Sequence, residues 1–280
     1  MKGLSYYKAQ SVEDVVDRLA NLEGARILAG GTDLLLELER AGQGANLLDI
    51  CFIDELRDIS ESAHEVLIGA ACTFDQIERS GTVRTHARAL SQAASTVGGP
   101  AIRNLATIGG NVANGAPAAD SVPALIVLEA RAKVRSAAGE REVEVEELVR
   151  AGRVHLDEGE IITRFVIPKC EGRKSAYVKL GLRRSMAVSR LSGAIGLSEA
   201  GMRFALGAVG PSACRIRSVE DILSQGVTCQ DTVRRALSRL AGDIRERLGE
   251  RPTAPYKQRA AQGVLLDLLS DVLDREVAVL

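Results

Sequence analysis

Tryptophan is absent from this 280-residue chain, and phenylalanine and tyrosine number only four each. So few aromatics leave no stacking platform for single-stranded nucleic acid. A net charge of −1 exerts no global pull on nucleic acid or an anionic membrane. The three histidines (His64, His86, His155) lack metal-ligand spacing. The five cysteines (Cys51, Cys72, Cys170, Cys214, Cys229) are odd in number and widely spaced, with no C-x-x-C. That pattern argues against a disulfide framework and against a local zinc or iron–sulfur site, so ordinary reduced thiols are expected. No apolar run approaches the ~20 residues of a membrane span. The opening MKGLSYYKAQSVEDVV has no apolar segment of the signal-peptide kind. A soluble, cytoplasmic chain is the expectation. Familiar nucleotide and hydrolase motifs are missing too: there is no G-x-G-x-x-G, no G-x-x-x-x-G-K-[ST] and no G-x-S-x-G.

Apolar residues make up 46% of the chain and charged residues 26%, a globular balance. At roughly 150 residues per domain, the length suits one large domain or two modest ones. Ser11-Val12-Glu13-Asp14 opens a helix whose Val12, Val15, Val16, Leu19 and Ala20 share a face. A strand at 25–29, a glycine turn, a short helix at 34–40 and a strand at 46–50 complete a β-α-β-type unit. A strand at 66–69 and helices at 73–80 and 86–96 follow. Residues 97–120, rich in Gly, Ala, Asn and Pro, read as a long irregular segment, a kind more often functional than idle. Asp120 then caps a helix reaching Leu128, with Pro123 in its first turn. Strands are expected at 132–136, 140–145 and 160–167. Residues 168–176 are polar and turn-rich and mark a boundary. Beyond them come a strand at 177–180, a hairpin at 190–199 and 202–209 turning at Ala200-Gly201, and helices at 219–224, 230–248 and 253–274.

Two glycine turns carry the chemistry. Ala29-Gly30-Gly31-Thr32-Asp33 joins a strand to a helical turn, and Thr107-Ile108-Gly109-Gly110-Asn111 lies in the irregular segment. Consecutive glycines allow several N–H groups to point to one side, a nest that binds phosphate. A pair of such turns suits a pyrophosphate, with oxygens on two faces. Each turn alone is ordinary turn chemistry. Asp120 reads either as a helix cap or as an acceptor for a ribityl or ribose hydroxyl, two roles compatible through different oxygens. Lys179, one of seven lysines, is either a solvated strand-end cation or a charge near a flavin ring or phosphate.

AGGTDLL (29–35), IRNLATIGGNVANGAPAADSVPAL (102–125) and YVKLGLRRSMAVSRLS (177–192) resemble the FAD-binding medium subunit of the molybdenum hydroxylases, the xanthine dehydrogenase and carbon monoxide dehydrogenase family. ALGAVGPSACRIR (205–217) and APYKQR (254–259) extend the resemblance over essentially the whole chain. It implies an α+β fold: a two-subdomain FAD-binding module of the vanillyl-alcohol-oxidase/PCMH type, then a C-terminal antiparallel sheet with helices. The implied domains are 1–172, with subdomains at about 1–58 and 59–172, and 173–280. Carried over by motif, the FAD contacts are Leu28, Ala29, Gly30, Gly31, Thr32, Asp33 and Leu34, then Thr107, Ile108, Gly109, Gly110 and Asn111. Val97 and Gly98 lie along the cofactor, Asp120 is the acidic residue after the second turn, Ile162 is apolar near adenine or flavin, and Lys179 is the lysine before Leu-Gly.

The resemblance further implies an electron-transfer subunit. It takes electrons from [2Fe-2S] clusters on a small partner subunit and passes them to NAD or another acceptor. A large partner subunit carries molybdopterin, and the assembly is a dimer of heterotrimers. No side chain of this chain is then a general acid or base, and none binds a metal. The chain departs from the family at Leu182, where arginine is common. Two other readings are a self-sufficient FAD-dependent oxidoreductase, with Tyr177, Arg183, Arg184 and Arg190 as its substrate-side candidates, and an assembly module without cofactor. Gly110→Val is expected to abolish FAD binding, because a β-branched residue blocks close approach and resists positive φ. Stoichiometric FAD in that variant, read by absorption, overturns the pyrophosphate assignment.

Overall fold

The computed structural model describes residues 3–183, 187–199 and 201–277. Its N-terminal sheet has the order β1-β3-β2, formed by Leu4–Lys8 (β1), Ala25–Leu28 (β2) and Ala45–Asp49 (β3), all parallel. Helices α1 (Val12–Asn21) and α2 (Leu34–Ala41) make the crossovers. The Ser11 hydroxyl caps α1 by accepting from the Asp14 N–H, and Val12, Val15 and Val16 are the buried face. Gly42, at φ 63°, ends α2 in the left-handed conformation that glycine adopts without strain. Strand β1 was not expected: LSYYK is short and leaves most of its side chains exposed or half-exposed, so no alternation marks it.

The central sheet pairs β4 (Ile59–Glu61), β5 (Glu65–Gly69), β10 (Ile161–Pro168), β6 (Arg131–Ser136) and β7 (Gly139–Glu144) in that order, all antiparallel. A two-stranded ribbon, β8 (Val149–Arg150) with β9 (Arg153–Val154), follows the short helix α9 (Val145–Leu148). Helices α3 (Phe74–Arg79), α4 (Gly81–His86), α5 (Arg88–Thr96), α7 (Ile108–Asn114) and α8 (Ser121–Val127) share a core with this sheet, α4 meeting β4 and β5 and α7 meeting β10, and α6 (Pro100–Arg103) packs on α3. The helix expected at 86–96 is broken at Ala87, whose backbone is non-helical; the Ser175 hydroxyl then accepts from the Ala89 N–H at the start of α5.

The third sheet is the antiparallel β11 (Lys174–Leu180), β12 (Leu191–Ser198), β13 (Gly201–Gly207) and β14 (Cys214–Arg215). The expected hairpin is β12–β13, with Ser198 opposite Gly201; Ala200 lies outside the described residues. Helix α10 (Arg217–Leu223) and the long α11 (Gln230–Leu248) and α12 (Ala254–Leu273) bury Leu240, Ile244, Val264, Leu265, Leu268 and Leu269 in a shared apolar core with this sheet. Its other face meets α8, and Tyr177, Ala194 and Ala205 join the central core. Among the described residues no helix is long and apolar enough to cross a membrane.

The segment 97–120 is not irregular throughout. It contains α6 and α7, separated by Asn104–Thr107. Pro100 supplies an N-terminal proline, and Thr107 caps α7 through the Gly110 N–H. Glycine and asparagine, poor helix formers, hid these short helices.

A bulge between Ile162 and Arg164 shifts β10 against β6. On its other edge the β10–β5 pairing runs on, the Thr163 carbonyl accepting from the Ala70 N–H. The strand leading into it is anchored by Glu160, which accepts from Arg141 at 2.6 and 2.7 Å and from the Asp157 N–H at 2.8 Å. The bond to Arg141, followed by that to the Asp157 amide, holds the Glu160 carboxyl below its ordinary value of 4.5. A depressed carboxyl stabilises the fold above its unfolded-state pKa and loses that contribution as pH falls through the folded value. Glu160→Gln is therefore expected to cost about 1.5–3 kcal/mol at pH 7. In denaturant unfolding at stepped pH, that deficit should shrink below 4.5.

Candidate cofactor site

The first glycine turn leaves the end of β2. The Leu28 carbonyl accepts from the Ile50 N–H, and the Ala29 carbonyl accepts from the Cys51 thiol at 3.1 Å. The chain then reverses through Gly31 at φ 68°, and Leu35 returns its N–H to the Gly31 carbonyl to start α2. Among the described residues, nothing accepts from the N–H groups of Gly30, Gly31, Thr32 and Asp33. Four adjacent N–H groups in a native fold require an acceptor from solvent or ligand.

The second turn is built differently. Residues 106–109 run beside 70–74: Phe74 donates to the Ala106 carbonyl, Ile108 to the Cys72 carbonyl and Gly109 to the Ala70 carbonyl. The Gly110 N–H goes to the Thr107 hydroxyl at 3.2 Å and the Asn111 N–H to the Thr107 carbonyl at 3.0 Å. From Ile108 to Asn111 its N–H groups are thus engaged internally, and it is no second backbone nest. What it offers is side chains. The Thr107 hydroxyl accepts from Gly110, leaving its proton to donate elsewhere. The Asn111 amide oxygen accepts from the Ser121 hydroxyl at 2.6 Å, which leaves the amide NH2 for the cleft.

Gly31 is needed for its positive φ, and the other three glycines for their lack of a side chain. A Cβ on Gly30 would lie 1.9 Å from the Leu105 carbonyl oxygen, so the two turns touch backbone to backbone. A Cβ on Gly109 would lie 2.7 Å from the Ala70 oxygen. Gly110 is exposed, and a Cβ there would meet only the Thr107 hydroxyl, at 2.9 Å. Its φ is not positive, so close approach alone accounts for glycine at this position. Asn114 at the end of α7 donates to Asp33 at 3.3 Å and ties the turns together again.

Between the turns lies a cleft of about 570 Å³, within the range of ligand sites. Ala29, Gly30, Gly31, Thr32, Asp33, Leu34, Thr107, Gly109, Gly110, Asn111 and Ile162 line it. Leu19, Ala25, Ile27, Ile50 and Leu156 extend its wall and were not picked out from the sequence. Its charged lining is Arg26, Asp33, Glu37, Glu158 and Glu160, and Arg26 pairs with Glu37 at 3.3 Å. An anion here would meet neutral N–H and side-chain donors. A second cavity of about 530 Å³ is lined by Gly98 and Lys179, with Thr96, Arg103 and Arg183.

Leu28, Val97, Ile108 and Asp120 line neither cavity. Leu28 packs beside Gly31, and Val97 and Ile108 are in the core. Asp120 occupies the cap position of α8, yet its side chain caps nothing. Its carboxylate is buried and accepts from Tyr177 at 2.7 Å, Ser189 at 2.5 Å and Lys179 at 2.6 Å. Burial, then the adjacent Asp120 charge, pushes the Tyr177 phenol well above its ordinary range, so it serves as a donor. Of the other substrate-side candidates, Arg183 and Arg190 border a further cavity of about 450 Å³. Arg184 lies outside the described residues, as do Ser185 and Met186 of the same motif. All five cysteines are unpaired, and burial pushes the Cys51 and Cys72 thiols up to about 12.

Residues 2–170 match the family described as the FAD binding domain in molybdopterin dehydrogenase. The chain is 32% identical to the nicotinate dehydrogenase FAD-subunit of Eubacterium barkeri, over 98% of both chains. It is 30% identical to a xanthine dehydrogenase FAD-binding subunit of Escherichia coli O157:H7, over 96% of both. In structure it superimposes on a chain of the carbon monoxide dehydrogenase of Hydrogenophaga pseudoflava with a TM-score of 0.88 at 27% identity, covering 98% of this chain and 99% of that one.

The Asp120–Lys179 pair is nearly sealed from solvent, with side-chain exposures of 9% and 10%. Removing one member of a buried pair strands the other charge. Asp120→Ala is expected to lower folding stability by about 3–5 kcal/mol, seen in urea unfolding, with Asp120→Asn less damaging.

Proposed function

Because the chain belongs to the FAD-binding family of the molybdopterin dehydrogenases, we propose that it is the electron-transfer flavoprotein subunit of a molybdenum hydroxylase, taking electrons from [2Fe-2S] clusters on a partner and delivering them to NAD or another acceptor. In this reading residues 1–172 hold the cofactor and residues 173–280 form a second domain. A molybdopterin-binding large subunit and an iron–sulfur small subunit complete a cytoplasmic dimer of heterotrimers.

The observation that carries the reading is the run of four unpartnered N–H groups at Gly30–Asp33, set in a cleft across from the Thr107 and Asn111 donors. That arrangement suits a pyrophosphate: neutral donors converge on it from two turns, as at other backbone anion sites. The acidic lining has its own use. Asp33, Glu37 and Glu158 accept from hydroxyl and amino groups, which a nucleoside has and a phosphate lacks. Apolar Ile27, Leu156 and Ile162 provide the wall for a base. The second cavity, with Lys179, receives the ring end of the cofactor. Bound FAD supplies the redox chemistry, and the protein supplies binding, orientation and electrostatics.

The test is an absorption spectrum of the full chain, purified alone and with its co-produced partner subunits, with chromatography of heat-released cofactor. A two-banded flavin spectrum and about one FAD per chain are expected. A colourless protein in both preparations, unable to take up added FAD, overturns the reading.

A further inference from the structure

Asp120 and Lys179 have spent most of their hydrogen-bonding capacity on the chain itself. A carboxylate offers about four lone-pair sites and an ammonium three N–H donors. Asp120 Oδ1 accepts from both the Tyr177 phenol and the Ser189 hydroxyl and is full. Its Oδ2 accepts from Lys179 at 2.6 Å. Lys179 gives a second N–H to the Thr96 carbonyl at 2.9 Å, and among the described residues its third has no acceptor. Lys179 also lines the 530 Å³ cavity. Tyr177 and Ser189 are themselves buried, and Tyr177 is fixed further by its N–H to Gln92 Oε1 at 2.8 Å.

We infer that Tyr177 and Ser189 are positioning residues, which by filling Asp120 Oδ1 confine the Lys179 ammonium to Oδ2 and Thr96, with one N–H left for the cavity. This rests on the reading of that cavity as the seat of the flavin ring. A cation held in a dry site acts more strongly than one in water and favours whichever state of a neighbour carries more negative charge. For a flavin that is the reduced state. Without the Tyr177 hydroxyl, a lone pair opens on Oδ1, the ammonium shifts toward it, and its hold on the cavity weakens. Ser189→Ala acts in the same way from the other donor. Neither side chain lines the cavity at the glycine turns or the one beside Lys179; Ser189 borders the adjoining 450 Å³ cavity, so coupling to Lys179 is what separates positioning from a direct effect.

The experiment is a double-mutant cycle on the full FAD-loaded chain, read as the midpoint potential and visible spectrum of bound FAD. Tyr177→Phe and Ser189→Ala are each expected to lower the potential and shift the flavin bands. Lys179→Gln should lower it further, and Tyr177→Phe should then add nothing. If the Gln variant loses FAD on purification, the same cycle is run on FAD affinity by fluorescence titration, with Lys179→Met as a second background. An unshifted Tyr177→Phe, or the same shift with and without Lys179, overturns the positioning role. A wild-type chain that binds no FAD, alone or with its co-produced partners, overturns the cofactor reading, and this inference with it.

Discussion

The Leu105 carbonyl oxygen lies 1.9 Å from the point where a side chain at residue 30 would begin. That contact brings the turn after β2 against the chain entering α7, although the two belong to different sheets and are some 75 residues apart. Only glycine permits it. The Asn114–Asp33 bond repeats the tie a few residues on. The cleft is the space these two turns enclose, so its width is set by backbone packing. The hydrogen bonds of residues 106–109 to the 70–74 strand extension hold the second turn from behind. Glu160 and the β10 bulge hold the third wall, where Ile161 and Ile162 reach the cleft.

The two cavities solve opposite electrostatic problems. At the glycine turns, among the described residues, the protein presents unpaired N–H groups and no unpaired cation, so a phosphate there would meet neutral dipoles. At the far cavity it presents a lysine, which near-complete burial would make costly without a partner. Asp120 supplies the partner, and Tyr177 and Ser189 keep its second oxygen occupied. The same four side chains join α8 to the C-terminal sheet. The site and the seam between the N-terminal 170 residues and the last sheet therefore share one polar cluster.

Much of this was legible in the chain. The capped helix at Ser11, the strand before Gly30, the hairpin at 191–207 and the long C-terminal helices all announce themselves through periodicity and caps. Both glycine turns stand out as motifs. Strand β1 does not, because an edge strand with exposed side chains has no alternation to read. Helices α6 and α7 were hidden by composition, although Pro100 and the Thr107 cap were the available signals. Glu160 carried no local signal, since its role depends on Arg141 across the sheet.

By itself, the sequence determined most of the elements, the order of the two glycine motifs and the family to which they point. These are local properties: a residue's conformational freedom and its spacing from near neighbours. Tertiary structure alone decided how each motif works. It showed that the first turn offers backbone N–H groups while the second has already spent its own. It also showed that Gly110 needs space and not positive φ, and that Asp120 faces Tyr177, Ser189 and Lys179 rather than the helix it precedes. The physical reason is that a hydrogen-bonding group is defined by what remains unpaired after folding, and its partners come from residues 57 to 69 positions away.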